Sequence, residues 1–354
     1  MLVVWAHLSA YWLFNIGETS TIQDTWVTAI ARPLHVFQDG GFLGVVIFFL
    51  ISGYIVTHAS LAETRLTYII KRLFRIFPPL LFALTVLWVL MHLLPALGLP
   101  LRTFQGGPPL QWLQAFLLVD WFTAGPEVLS VTWTLIVELI FYALVLAAIG
   151  RQRRHPLGTT AAMAGVWAAL SLVAIRVAAE DGVQAADFVI LVGVLLVGRC
   201  IYLGHARLAN RLAAAALGAA IAVSTGILQE MRSPGFLLGT NGPDNAEPLL
   251  AYVAAAVIFL GMLWWAPATT VQPFRWLGDI SYSLYLLHMP VGFATLEVLY
   301  ELQVPNSLAT LVAIATSLLA AWVSYLLVEK PSQRAARLLI RSRRGTPAAV
   351  GSSS

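Results

Sequence analysis

Apolar runs of membrane-spanning length, broken by short polar connections, set the rhythm of this chain. A run of about 20 apolar residues crosses the ~30 Å hydrocarbon core of a bilayer as a helix. Such runs lie near 1–16, 41–58, 78–98, 131–149, 159–178, 186–203, 208–228, 249–266, 277–300 and 307–327. Leu110–Phe122 is apolar but too short to cross, so it reads as an interfacial or re-entrant helix. The pattern predicts an all-α, polytopic transmembrane helix bundle of about ten spans.

Basic residues orient that bundle. Arg65, Lys71, Arg72 and Arg75 follow the second run, Arg151, Arg153 and Arg154 the fourth, and Arg199, Arg207 and Arg211 surround the sixth connection. Arg275 precedes the ninth run, and Arg334, Arg337, Arg341, Arg343 and Arg344 follow the last. All fall on one side of a ten-span bundle, which the positive-inside rule makes the cytoplasm, with both termini there. Arg32, Arg102 and Arg232 are the exceptions on the other side. Residues 1–330 form the transmembrane unit, and 331–354 read as a basic, disordered cytoplasmic tail.

Composition agrees and narrows the classes. Of 354 residues, 59% are hydrophobic and 11% charged, where a soluble domain carries about a quarter charged. The net charge of +4 is spread over several short loops, so no nucleic-acid patch forms. Cys200 is the sole cysteine, which leaves no internal disulfide and no thiolate metal cluster; no metal is expected. The expected location is a bacterial inner (cytoplasmic) membrane, crossed many times, with the lipid bilayer itself as a partner.

Three ionisable residues stand inside apolar runs: His7 in MLVVWAHLSAYW, Glu138 in VTWTLIVELIFYAL and His288 in ISYSLYLLHMPV. A titratable group in hydrocarbon costs several kcal/mol unless it meets a partner or a wet cavity. At about 1.5 Å per residue, His7 and Glu138 lie roughly 13 and 10 Å below the outer surface, and His288 near the midplane. A carboxylate beside an imidazole would orient one ring nitrogen and raise basicity at the other, as general-base attack on a hydroxyl requires. The plainer alternative is a polar contact that only holds helices together.

The motifs around these residues resemble a known family. VVWAHLSAYW is similar to the first helix of the membrane-bound acyltransferase-3 family, the O-antigen and polysaccharide O-acetylase type. GGFLGVVIFFLISGYIVTHA resembles its FFxISG segment, IIKRLFRIFPPL its R-x-x-R-I-x-P segment, and VTWTLIVELIFYAL its WSLxVExxFY segment. LGDISYSLYLLHMPV and LLVEKPSQR resemble its last two signatures. Two departures stand out: the sequence begins too late to include the family's L-x-x-L-R-G-[IL]-A stretch, expected just before the first helix, and Val46 occupies the acidic position of G-V-D-x-F-F.

The resemblance implies transfer of an acyl group, usually acetyl, from cytoplasmic acyl-CoA to a hydroxyl of a sugar, polysaccharide, glycolipid or other extracytoplasmic acceptor. It makes His7 the catalytic histidine and Glu138 the acidic residue of its segment, and it matches Arg72 and Arg75 to the arginine pair. Independently, Arg72 and Arg75 are three apart and share one helix face. There they could grip CoA phosphates, with Lys71 as a third positive charge. Topology anchoring is the alternative reading of the three. Ser52 and Gly53 form a small close-approach point, read first as helix packing and second as lining for the pantetheine arm. Whether His7 deprotonates the acceptor or itself carries the acyl group stays open. A proton-coupled transporter or exporter with a His–Glu relay is the rival class; the lack of an internal repeat counts against it.

Overall fold

The computed structural model describes residues 1–99, 101–123, 125–181, 185–239, 247–265 and 272–344, and its regular structure there is helical throughout. α1 (Leu2–Trp5) and α2 (Trp12–Ile16) form one short rod around a π-helical stretch, Ala6–Tyr11. α3 (Thr21–Trp26) and a second π-helical stretch, Val27–Ala31, lead to α4 (Gly41–Ala62). α5 (Arg65–Ala96) follows, and then α6 (Pro109–Phe116), the short segment expected not to cross. The bundle continues with α7 (Trp133–Ala148), α8 (Pro156–Asp181), α9 (Ala185–His205), α10 (Arg211–Arg232) and α11 (Pro248–Trp265). α12 (Gln272–Glu301), α13 (Asn306–Ser324) and α14 (Lys330–Arg344) complete it.

Eight helical stretches among the described residues are long and apolar enough to cross a membrane, built on α4, α5, α7, α8, α9, α10, α11 and α13. The Leu2–Ile16 rod is apolar but shorter. α12 runs for 30 residues, about 45 Å at 1.5 Å per residue, and carries Asp279, Ser283, His288 and Glu297 along the way.

Two connections differ from expectation. Residues 17–40, expected as a loop, fold into α3, the π-helical stretch and a 3-10 turn at Phe37–Gly40. The basic stretch after 330, expected to be disordered, is helical to Arg344, because Ala336, Leu339 and Ile340 recur at helical spacing on one face and the helix packs on α5. Ala336 is buried there, and the Ser332 hydroxyl donates to the Phe74 carbonyl at 2.8 Å. The last ten residues, 345–354, lie outside the described residues.

Small residues set the tightest crossings. α9 sits centrally, packed on α4, α7, α8 and α10. A Cβ on Gly53 of α4 would overlap the Leu195 carbonyl, and a Cβ on Gly198 of α9 would overlap the Leu50 carbonyl. The two backbones therefore touch, as small residues permit between membrane helices. Gly292 of α12 receives the Leu8 side chain in the space a Cβ would fill. That contact draws α12 onto the first rod one turn from His288 and one residue from His7.

Candidate functional site

His7 lies in the π-helical stretch, a geometry that re-aims side chains and is frequent at functional sites. Its Nδ1 is 2.8 Å from Nε2 of His288, with the two rings stacked at 20°. His288 is fully buried, and its Nδ1 lies 2.7 Å from the Tyr285 carbonyl and 3.2 Å from that of Leu284. A carbonyl only accepts, so Nδ1 of His288 carries a hydrogen and, in the neutral ring, Nε2 accepts. His7 must then donate from Nδ1, which leaves its Nε2 as an unprotonated acceptor. Two helix carbonyls thereby fix the tautomer of a histidine on another helix.

His7 lines a cavity of about 390 Å³ together with Tyr11, Phe14, Asp39, Phe42, Trp133 and Tyr285. The Tyr285 hydroxyl donates to the Val131 carbonyl at 2.9 Å and accepts from Thr134 at 2.7 Å, which pins the ring beside His288.

Glu138 is buried deeper, five residues along α7 from the cavity-lining Trp133, roughly 7.5 Å at helical rise. Its carboxylate accepts a hydrogen bond from Ser52. The expected His7–Glu138 pair is therefore replaced by two pairs, His7 with His288 and Glu138 with Ser52. Depth along a helix is legible from sequence, but the direction a side chain faces around the bundle is not. Phe48 stacks on Tyr285, and Phe49 packs edge-on against Trp133, at the level between the two pairs.

A charged cluster continues from Glu138 toward the arginine-rich end. Arg75 lies within electrostatic reach of Glu138, Tyr142, Tyr282 and Glu329. Ser283 donates to Glu329 at 2.7 Å, and the Tyr282 hydroxyl donates to the Ile76 carbonyl at 3.1 Å. Arg72 is buried, its guanidinium 4.8 Å over the Tyr68 ring and 5.3 Å from that of Tyr142. Its Nη2 stands 3.9 Å from Glu63, while its Nε and Nη2 make no hydrogen bond. Lys71 is half exposed and donates to Glu63 at 2.6 Å, so its charge is already matched. No group of three or more metal-ligating side chains occurs among the described residues.

Several polar residues here escape a sequence reading. Arg199, read there as a loop charge, is fully buried in α9 and donates to Thr160 at 2.8 Å and to Gln152 at 3.1 Å. Its setting in LVGVLLVGRC carried the same signal as that of His7: an ionisable group inside an apolar run. Asp39 and Gln23 had no such signal, because they sit in a stretch that reads as a polar loop.

A family model described as "Acyltransferase domain" matches residues 1–327. The chain is 26% identical over 335 residues to a protein of Bacillus subtilis (strain 168) named "Putative peptidoglycan O-acetyltransferase YrhL". That alignment covers 83% of this chain and 51% of the relative, so the chain spans about half the relative's length. No solved structure matches the chain.

Proposed function

Since the chain belongs to the acyltransferase domain family, we propose that it is an integral membrane O-acyltransferase in which His7 is the general base. It moves an acyl group, acetyl in the first instance, from acyl-CoA to a hydroxyl of a sugar, polysaccharide or glycolipid of the cell envelope. The observation that carries this reading is the chain of contacts from the Tyr285 carbonyl through His288 to His7, which leaves an unprotonated Nε2 on a residue of the cavity wall. The relative's name supports an O-linked acceptor in the cell wall.

In the reaction, Nε2 of His7 takes the acceptor's hydroxyl proton as the oxygen attacks the thioester carbonyl. The carbon–sulfur bond then breaks, and the proton passes from His7 to the departing CoA sulfur. The imidazolium formed in between keeps its Nδ1–H on His288, so its positive charge remains hydrogen-bonded. General-base assistance of this kind contributes about 10²–10⁴-fold.

In this reading the donor's phosphates take Arg72 in exchange for its long 3.9 Å approach to Glu63, and the thioester arm runs along Arg75, Ser52 and Glu138 toward the cavity. This route runs from the cytoplasmic face inward. Membranes of a bacterium carrying the protein, given acetyl-CoA labelled in the acetyl group, test the reading. Label should enter an envelope saccharide with release of CoA. Substrate flux coupled to pH, with no CoA released, would make the protein a transporter instead.

A further inference from the structure

Asp39 lines the same cavity as His7, and nothing in the route above uses it. Its placement is built in three ways. Gly41 at the start of α4 lies against Ala6, where a Cβ would stand 2.9 Å from the Ala6 Cβ. This close approach holds the turn before α4 beside the residue preceding His7. A buried relay then fixes the carboxylate: Ser9 donates to Gln23 at 2.7 Å, and the Gln23 amide donates to Asp39 Oδ1 at 3.0 Å. Ser9 is fully buried and Gln23 nearly so. Finally, Gln38 and Asp39 both adopt left-handed backbone, at φ 50, a conformation that aspartate tolerates and that turns the chain sharply into α4.

The rest of the cavity wall is aromatic. Tyr11, Phe14 and Trp133 face it, with Phe14 exposed over 84% of its surface. A flat apolar shelf beside a carboxylate suits a polyhydroxylated ring, whose carbon face packs on the aromatics while its hydroxyls donate to the carboxylate. We propose that Asp39 is the acceptor-binding carboxylate. It accepts hydrogen bonds from non-reacting hydroxyls of a sugar ring and so aims the reacting hydroxyl at Nε2 of His7. The proposal rests on the reading of His7 as the base and adds the group that selects a carbohydrate.

The test uses the full chain in membranes with acetyl-CoA as donor and a soluble N-acetylhexosamine tetrasaccharide as acceptor probe. Hydrolysis of acetyl-CoA by water, without the saccharide, reports donor binding and the base alone. Asp39→Asn and Asp39→Ala should raise KM for the tetrasaccharide about tenfold or more, as expected for a lost hydrogen bond to a charged group. KM for acetyl-CoA and the rate of hydrolysis should stay at their original values. An unchanged saccharide KM would overturn the role of Asp39 while leaving His7 standing. Hydrolysis and transfer that both survive His7→Ala would instead refute the base. A second measurement is independent of how well the variants fold. In the unmodified protein, saturating tetrasaccharide should slow labelling of Asp39 by a water-soluble carbodiimide, and labelling at an unaltered rate would overturn the proposal.

Discussion

Replacing His288 by asparagine separates the two jobs its imidazole performs. An asparagine amide sits where Nδ1 of the ring was and can still donate to the Tyr285 carbonyl, 2.7 Å from that nitrogen. It does not reach the position of Nε2, 2.8 Å from Nδ1 of His7, so His7 loses the acceptor that selects its tautomer. One buried neutral hydrogen bond contributes about 1–1.5 kcal/mol, close to a tenfold rate effect at about 1.4 kcal/mol per decade. The larger loss comes from a ring free to protonate the nitrogen that must be bare; a wrong tautomer in a hydrolytic triad costs about 10⁴-fold. For His288→Asn we expect kcat to fall between these limits, about 10²-fold or more, with the acceptor KM unchanged. His288→Gln is the control, because its amide oxygen reaches the Nε2 position and can accept from His7. That variant should retain activity within about tenfold of the original. Both are assayed by label transfer in membranes, with thermal unfolding in detergent confirming that each still folds. Equal activities in the two variants, or full activity in His288→Asn, would refute the tautomer argument.

Other perturbations bear on separate parts of the molecule. Arg72→Ala should raise KM for acyl-CoA about tenfold to a hundredfold, the span of a hydrogen bond to a charged group, with little change in kcat; an unchanged KM would return Arg72 to an anchoring role. Gly198→Val drives side-chain atoms into the Leu50 carbonyl, which cannot rotate away, so a loss of at least ~1–3 kcal/mol is expected in thermal unfolding. A normal melting profile would disprove the backbone contact between α4 and α9. Ser52→Ala removes one donor from the buried Glu138 carboxylate, and a stability loss of about 1–3 kcal/mol should follow. Unaltered stability would show that another group satisfies Glu138.

Much of the bundle was legible in the sequence, because hydrocarbon imposes length and apolarity on each span. Charge counting identified the ionisable groups that had to be accommodated, His7, Glu138 and His288 among them. It did not say which would meet. The pairing of His7 with His288 depends on Gly292 admitting Leu8, a fit between two helices nearly 300 residues apart in sequence that no local pattern encodes. Asp39 and Gln23 were hidden for a different reason: segment 17–40 is polar enough to read as a loop, yet it folds into short helices against the first rod. The helical tail to Arg344 was missed because its charge outweighed its amphipathic spacing. Arg199 was misassigned by the positive-inside count, which treats any arginine near a span end as solvated.

The role of His7 as base can be measured in the His7→Ala protein, reconstituted with labelled acetyl-CoA and compared with the original chain at equal amounts of folded protein. Acyl transfer should drop about 10²–10⁴-fold while acetyl-CoA still binds with its original affinity. Transfer at an undiminished rate from a His7→Ala protein would contradict the account.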